Sequence, residues 1–253
     1  MKFRNARLSL FLALTAFCST AKAQVGEYRS IFSVGGNAGY VMSNVGFDPK
    51  VSQSWHGGMT GGFSWRYTCE KYFTTICSIS GEVNYVSAGW KEDILTEKDA
   101  PVINANGARE KYSRTINYIQ IPVFAHLAWG QEQRGFNFFV QAGPQIGIYL
   151  SESTSKNYDE PNLATDGTGR SNNIVKQESM DVEKKFDYGI AAGAGAEYSR
   201  PGLGHFLLEA RYYYGLGNIY NDSKRDYFGK SNLGNIVIKA TYLFDLTGKH
   251  KNK

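Results

Sequence analysis

Apolar residues recur at every second position in eight stretches of this sequence, which is the period of a β-strand with one greasy and one polar face. In residues 136–150 the even positions are Phe136, Phe138, Val140, Ala142, Pro144, Ile146, Ile148 and Leu150, while Asn137, Gln141, Gly143, Gln145, Gly147 and Tyr149 share the other face. Residues 119–129 set Ile119, Ile121, Val123, Ala125, Leu127 and Trp129 against Gln120 and His126. Residues 186–198 set Phe186, Tyr188, Ile190 and a run of alanines against Asp187, Gly189, Gly193, Gly195 and Glu197. Residues 206–216 set Phe206, Leu208, Tyr212 and Tyr214 against Glu209 and Arg211, and residues 236–246 set Ile236, Ile238, Tyr242, Phe244 and Leu246 against Lys239 and Thr241. Residues 32–42, 57–67 and 76–87 alternate in the same way with more glycine. The pattern predicts an all-β chain of eight antiparallel, up-and-down strands within residues 31–246.

Two barrels accommodate such strands, and they differ in which face points inward. A soluble lipocalin-like barrel encloses the apolar face, whereas an outer-membrane barrel turns it to lipid and encloses the polar one. Volume separates them, because eight strands leave an interior just wide enough for their own side chains. The Phe, Tyr and Trp of the apolar faces are too bulky to pack there, and the Gly, Ser, Asn and Gln of the opposite faces are lean enough. That enclosed face also carries Arg66, Glu82, Glu197, Glu209, Arg211 and Lys239. Three acids and three bases predict a structural ion-pair network filling the lumen, since buried charge is tolerated when paired; the alternative is a proton or ion pathway.

The connections agree with a membrane barrel, which alternates short periplasmic turns with longer external loops. With the N-terminus inside, the linkers run 43–55 medium, 68–75 short, 88–112 long, 130–135 short, 151–185 very long, 199–205 short and 217–234 long. Tyr40, Tyr67, Trp129, Phe136, Tyr198 and Phe206 fall near strand ends, where aromatic girdles sit.

Residues 1–23 read as a secretory signal. Lys2, Arg4 and Arg7 form a basic start, an apolar run follows, and Ala21-Lys22-Ala23 supplies a cleavage site before Gln24. The run is too short for a spanning helix, and bulky Phe17 argues against a lipoprotein site at Cys18. Residues 24–253 are then one outer-membrane barrel domain. Four of the 28 basic residues lie in the signal and none of the 23 acidic ones do, which leaves 24 against 23 and a net charge of +1. A nucleic-acid partner, suggested by the basic composition of the whole chain, loses its support. Cys69 and Cys77 remain, flanking the first short turn, and in an exported protein this spacing predicts a disulfide stapling a hairpin end, with two free thiols as the alternative.

Four segments in order, "NYIQIPVFAHL", "FVQAGPQIGIYLS", "FDYGIAAGAGAEY" and "LEARYYYGLGNIY", resemble the PorT-like outer-membrane barrel proteins of Bacteroidetes-type bacteria. The matching positions include residues 118–122, Gly143 with Pro144, Phe186, Asp187 and Gly189, and Arg211, Tyr212, Gly215, Leu216, Asn218 and Ile219. The resemblance implies an eight-stranded barrel in the outer membrane of a Gram-negative envelope. The family's namesake is associated with protein secretion and protease maturation, so the resemblance also implies an envelope or secretion protein as a partner. One departure is the end of the chain: many such barrels finish on an aromatic residue, whereas Leu246 here is followed by the basic tail 247–253.

An enzyme would need a constellation at one mouth of the barrel. His126 and His205 fall near the periplasmic strand ends, and His56 opens onto the external side, where Asp48, Asp93, Asp222 and Asp226 lie in loops. Nothing in the sequence fixes a partner for His56, so a non-enzyme without cofactor or metal is expected. The glycines of "GIAAGAGAEY" lie inside a strand rather than between a strand and a helix, which excludes a nucleotide-binding turn. They fit close strand approach at a crowded barrel wall. The sequence therefore predicts a barrel embedded in outer-membrane lipid, with a surface-binding or structural role for the loops 88–112 and 151–185. An accessory factor in secretion or envelope assembly, a narrow pore and an enzyme are the alternatives.

Overall fold

Strands with one lipid face and one enclosed face are satisfied only if their edges meet, because an unpaired strand edge cannot survive in hydrocarbon. The computed structural model describes residues 27–131, 134–172 and 174–247; the predicted signal and the tail from residue 248 lie outside the described residues. The strands are β1 (Glu27–Asp48), β2 (Gln53–Ser54), β3 (His56–Tyr72), β4 (Thr75–Glu92), β5 (Tyr112–Gly130), β6 (Gly135–Lys156), β7 (Phe186–Arg200), β8 (Gly204–Gly215) and β9 (Lys230–Thr247), and a short helix α1 (Lys176–Ser179) lies in the longest connection. Each long strand pairs antiparallel with the next, and β1 pairs with both β3 and β9, so eight strands close into a ring. The two-residue β2 is an addition on the end of β4. No helix among the described residues is long and apolar enough to cross a membrane.

The faces sort as the alternation requires. Phe138 is 71% exposed and Leu208 61% on the outside, whereas Lys239 and Glu197 are 1% and 3% exposed on the inside. At the short-turn end the outward rings pair across strands, with Phe136 and Tyr198 centred 5.0 Å apart and Phe206 and Tyr242 4.9 Å apart. The short connections from β3 to β4, β5 to β6 and β7 to β8 share this end with the start of β1; the connections from β1 to β3, β4 to β5, β6 to β7 and β8 to β9 share the other. Short turns face the periplasm in barrels of this kind.

Most strands are far longer than the 9–11 residues a bilayer requires, and the excess lies at the loop end. On β5 the outward positions are Ile119, Ile121, Val123, Ala125, Leu127 and Trp129, then Asn117, Thr115 and Ser113. Lipid alone demands an apolar exterior, so the alternation fades where the strand leaves the membrane while the ladder continues. The expected loop 88–112 therefore begins only after Glu92, and β6 runs to Lys156.

Inward glycines make room for inward aromatics. A Cβ on Gly195 would lie 2.6 Å from the Phe139 ring and 2.3 Å from Leu208 O, and one on Gly189 2.8 Å from the Tyr213 ring.

The expected disulfide is not formed: Cys69 and Cys77 are free thiols. The register explains it. Thr68 faces Ser78 and Glu70 faces Cys77, so Cys69 is the extra residue of a β-bulge and has no place opposite Cys77. Its thiol lies 3.7 Å from Tyr67 O instead.

Candidate functional site

The lumen divides into three zones. At the periplasmic end is a cup of about 680 Å3, walled by Arg66, Glu197, His205 and Asp245 with Ser33, Thr68, Ser78, His126 and Asn137. Arg66 makes a two-pronged bond to Glu197 at 2.7 and 2.9 Å. His205 lies between two carboxylates, with Nδ1 2.7 Å from Glu197 and Nε2 3.1 Å from Asp245, and Ser199 Oγ is 2.8 Å from its Nδ1. Asp245 also accepts a hydrogen bond from Ser33 Oγ at 2.5 Å.

Above the cup is a charged layer. Arg211 donates to Glu82 at 2.9 and 3.0 Å and to Glu209 at 2.5 Å; Lys239 bonds to Glu82 and lies 3.2 Å from Glu209. Gln141 and Asn84 donate to Glu209 and Glu82, and the Arg211 guanidinium sits 4.4 Å from the centre of the Phe124 ring. The six ionisable residues singled out in the sequence thus fall into two groups: Arg66 with Glu197 in the cup, and Glu82, Glu209, Arg211 and Lys239 in the layer. Each group is charge-balanced, the condition under which buried ions persist.

Toward the loop end the filling becomes apolar. Val45, Phe47, Trp90, Tyr112, Ile116, Tyr118, Tyr213, Tyr220, Phe228 and Leu233 form one buried cluster. The inward aromatics escape a reading by periodicity, because residues such as Phe139 and Tyr213 stand between outward Phe138 and Val140 or Tyr212 and Tyr214 and blur the alternation. The external loops close over this cluster. Arg170 of the longest loop, stacked 4.8 Å from the Tyr158 ring centre, bonds to Glu110 at 2.7 Å and Glu178 at 2.5 Å, with Glu92 at 4.0 Å. Arg114 at the end of β5 donates to Met180 O, to Glu152 at 3.2 Å and to Tyr220 Oη at 3.3 Å. Ser171 N donates to Leu95 O at 2.7 Å, Asn162 N to Glu110 at 2.9 Å and Asn104 Nδ2 to Asn157 O at 2.8 Å, so loops 93–111 and 157–185 are tied to each other.

Burial dominates the electrostatics of this plug, above the membrane band. It pushes the Glu92 carboxyl up to about 7, with Glu178 adding to the rise and the Gln177 and Trp90 hydrogen bonds and Arg170 opposing it. It pushes the Tyr112 phenol up to about 12. His56 sits at the external end of β3, where burial and then Lys91 lower its pKa; its Nε2 meets Thr115 Oγ1 at 3.1 Å. Asp222 pairs instead with Lys184 at 2.7 Å, and Asp226 accepts from Ser223 N, so neither loop acid is turned to His56. Among the described residues no group of three or more His, Cys, Asp or Glu could hold a metal ion.

The structure is similar to that of the attachment invasion locus protein Ail of Yersinia pestis, at 14% identity over 86% of this chain and 99% of that one, with a TM-score of 0.34. It is likewise similar to Neisserial surface protein A, at 13% identity over 84% and 97% with a TM-score of 0.38, and to OprG of Pseudomonas aeruginosa, at 10% identity over 87% and 98% with a TM-score of 0.37. No curated protein sequence matches. Residues 22–221 match the family described as outer membrane protein beta-barrel domain. The chain therefore belongs to that family, as an eight-stranded barrel of the outer membrane.

Proposed function

We propose that this is a non-enzymatic, non-conducting surface barrel whose external loops form a preordered platform for a partner outside the cell. The observation that carries this reading is the clamp around Arg170: three acids from two loops and the end of β4 surround one guanidinium and fix loops 93–111 and 157–185 together. A surface ordered in advance loses less conformational entropy on binding, and long loops on a rigid scaffold are where binding residues concentrate. The filled lumen supports the non-conducting part, since both the charged layer and the aromatic cluster occupy its cross-section. The test is to shorten both loops to tight turns and compare cells or proteoliposomes carrying the two forms. Loss of surface binding with insertion retained supports the reading; full retention of every surface phenotype overturns it. Planar-bilayer recordings are expected to be silent, and steady conductance would remove the non-conducting part.

A second reading, an accessory factor in secretion or envelope assembly, follows from the PorT-like resemblance and draws on one feature, the cup open toward the periplasm. Recovery of no periplasmic or secretion component on crosslinking in intact cells would count against it.

A further inference from the structure

The lipid-facing wall is uneven. Toward the periplasmic end one outward row runs across five strands, with Phe136 facing Tyr198, Tyr198 facing Phe206, Phe206 facing Tyr242 and Tyr242 facing Gly36. The next outward row, deeper in the membrane, reads Phe138, Ala196, Leu208, Ala240 and Ala38. Large rings thus border a patch where Ala196, Ala240, Ala38 and Gly36 barely rise above the backbone. A groove of about 780 Å3 opens there, walled by Phe136, Tyr198, Phe206, Leu208 and Tyr242. It lies on the face that the barrel turns to hydrocarbon, so its occupant is an acyl chain or the apolar face of another protein.

What selects the occupant lies just beyond the aromatic row. The outward column of β7 runs from Ala194 through Ala196 and Tyr198 to Arg200, the last residue of the strand. On the neighbouring strand Arg134 stands immediately before Gly135, and Gly135 pairs with Ser199. Two exposed arginines therefore flank the same end of the β6–β7 ladder, Arg200 also bordering the mouth of the cup. Like charges on neighbouring strands repel, whereas an anion between two guanidiniums attracts both, and a phosphate matches their planar forks. Glu197, the acid between Tyr198 and Arg66 in this part of the barrel, is turned inward and bonded to Arg66, and Asp245 meets His205, so neither answers the pair. From Ala194 to Arg200, six steps of about 3.3 Å on a tilted strand cover roughly 15 Å, the depth of one leaflet. Groove, aromatic row and arginine pair follow one another as acyl chain, ester and phosphate do in a phospholipid. A second copy seated on this face by two-fold symmetry would bring its own arginines against this pair. We propose that the wall formed by β6 to β9 and β1 holds one phospholipid of the periplasmic leaflet with a net negative headgroup, an acyl chain in the groove and the phosphate at Arg134 and Arg200. This site is at the opposite end from the external loops, and it stands whether or not they bind a partner.

The test is native mass spectrometry of the full chain in detergent micelles, titrated with dimyristoyl phosphatidylglycerol. Dimyristoyl phosphatidylcholine and dimyristoylglycerol carry the same chains with a zwitterionic headgroup and with no phosphate, and serve as comparators. One phosphatidylglycerol is expected to bind saturably, about tenfold or more tighter than either comparator. The double variant Arg134→Gln, Arg200→Gln should erase that preference. Ala196→Phe fills the groove from its floor with both arginines in place, and should weaken phosphatidylglycerol about tenfold as well. Both variants change outward side chains and leave the lumen as it is, and heat-modified mobility on gels checks that each barrel is folded. Absence of a saturable lipid adduct, equal affinity for the three lipids, unchanged binding in either folded variant, or a dimer of the chain occupying the groove in place of lipid would overturn the proposal. Loop shortening leaves the expected binding unchanged, which separates this result from the test of the external platform.

Discussion

The two halves of one lumen are filled by opposite means. Near the periplasm charged and polar side chains line an open cup, over a small apolar group of Ile76, Ala128, Phe139, Leu207 and Leu243. Near the loops aromatic and aliphatic side chains form the larger cluster and are roofed by loops that contribute their own Arg170, Tyr158 and Gln177. The difference follows from what each end must close against. Short turns supply no chain to cover the mouth, so the wall satisfies itself by pairing. Long loops supply a roof, and a roof gains from an apolar underside, at roughly 25 cal/mol per Å2 of apolar surface removed from water.

That contrast can be broken first in the charged layer. Glu82→Gln removes the partner shared by Arg211 and Lys239 and leaves excess positive charge in a closed interior; about 3–5 kcal/mol of stability should be lost. Urea unfolding in detergent micelles followed by heat-modified mobility on gels reads it, and a loss below 1 kcal/mol would mean that water screens the layer. Next comes Trp90→Ala beneath the roof, where a large buried aromatic lost costs about 3 kcal/mol. Here the loss should show as protease cleavage in residues 157–185 while the barrel stays folded; cleavage unchanged from the parent would mean that the roof stands independently of its underside.

A third change needs no mutation. Burial raises the Glu92 pKa, so the closed loops bind its proton more tightly than opened loops do. Their closure is best supported below the ordinary value of 4.5, and the support is lost as pH rises from there to about 7. The total is at most about 3 kcal/mol. Hydrogen exchange in loop 157–185 should therefore speed up from pH 5 to pH 8 beyond the intrinsic rate, and Glu92→Gln should flatten the profile; the groups facing Glu92, namely Arg170, Glu178, Gln177 and Trp90, remain as they are. The smallest effect is expected at Asp222→Asn. Its pair with Lys184 lies at the surface, and such pairs contribute little to stability and fade with salt.

Much of the wall was legible because lipid imposes a rule that sequence can carry: Phe138, Leu208, Tyr212 and Ile238 must face outward, and their spacing fixes every inward neighbour. The alternation of short and long linkers placed the two ends. The rest was hidden for definite reasons. Ser113, Thr115 and Asn117 continue β5 with a polar exterior, so strand and loop look alike there. Phe139 and Tyr213 are apolar on the enclosed face and disappear among outward apolar neighbours. The bulge at Cys69 shifts a register by one residue, which spacing alone does not reveal, and so a pair that looked opposed is not. The bond partners of Arg66 and Arg211 depend on which strands meet across the barrel, and no local pattern encodes that distance. The Arg170 clamp reaches Glu110, 60 positions away, between loops that have no periodicity.

The polar extension of β5 beyond Asn117 has a consequence for where any encounter takes place. Seven residues from Tyr112 to Tyr118, at about 3.3 Å each along a tilted strand, form a collar that lifts the loop tips roughly 15–20 Å clear of the hydrocarbon boundary. The protein meets its surroundings from a pedestal, at the height of headgroups and beyond, and its outermost contacts are made in water.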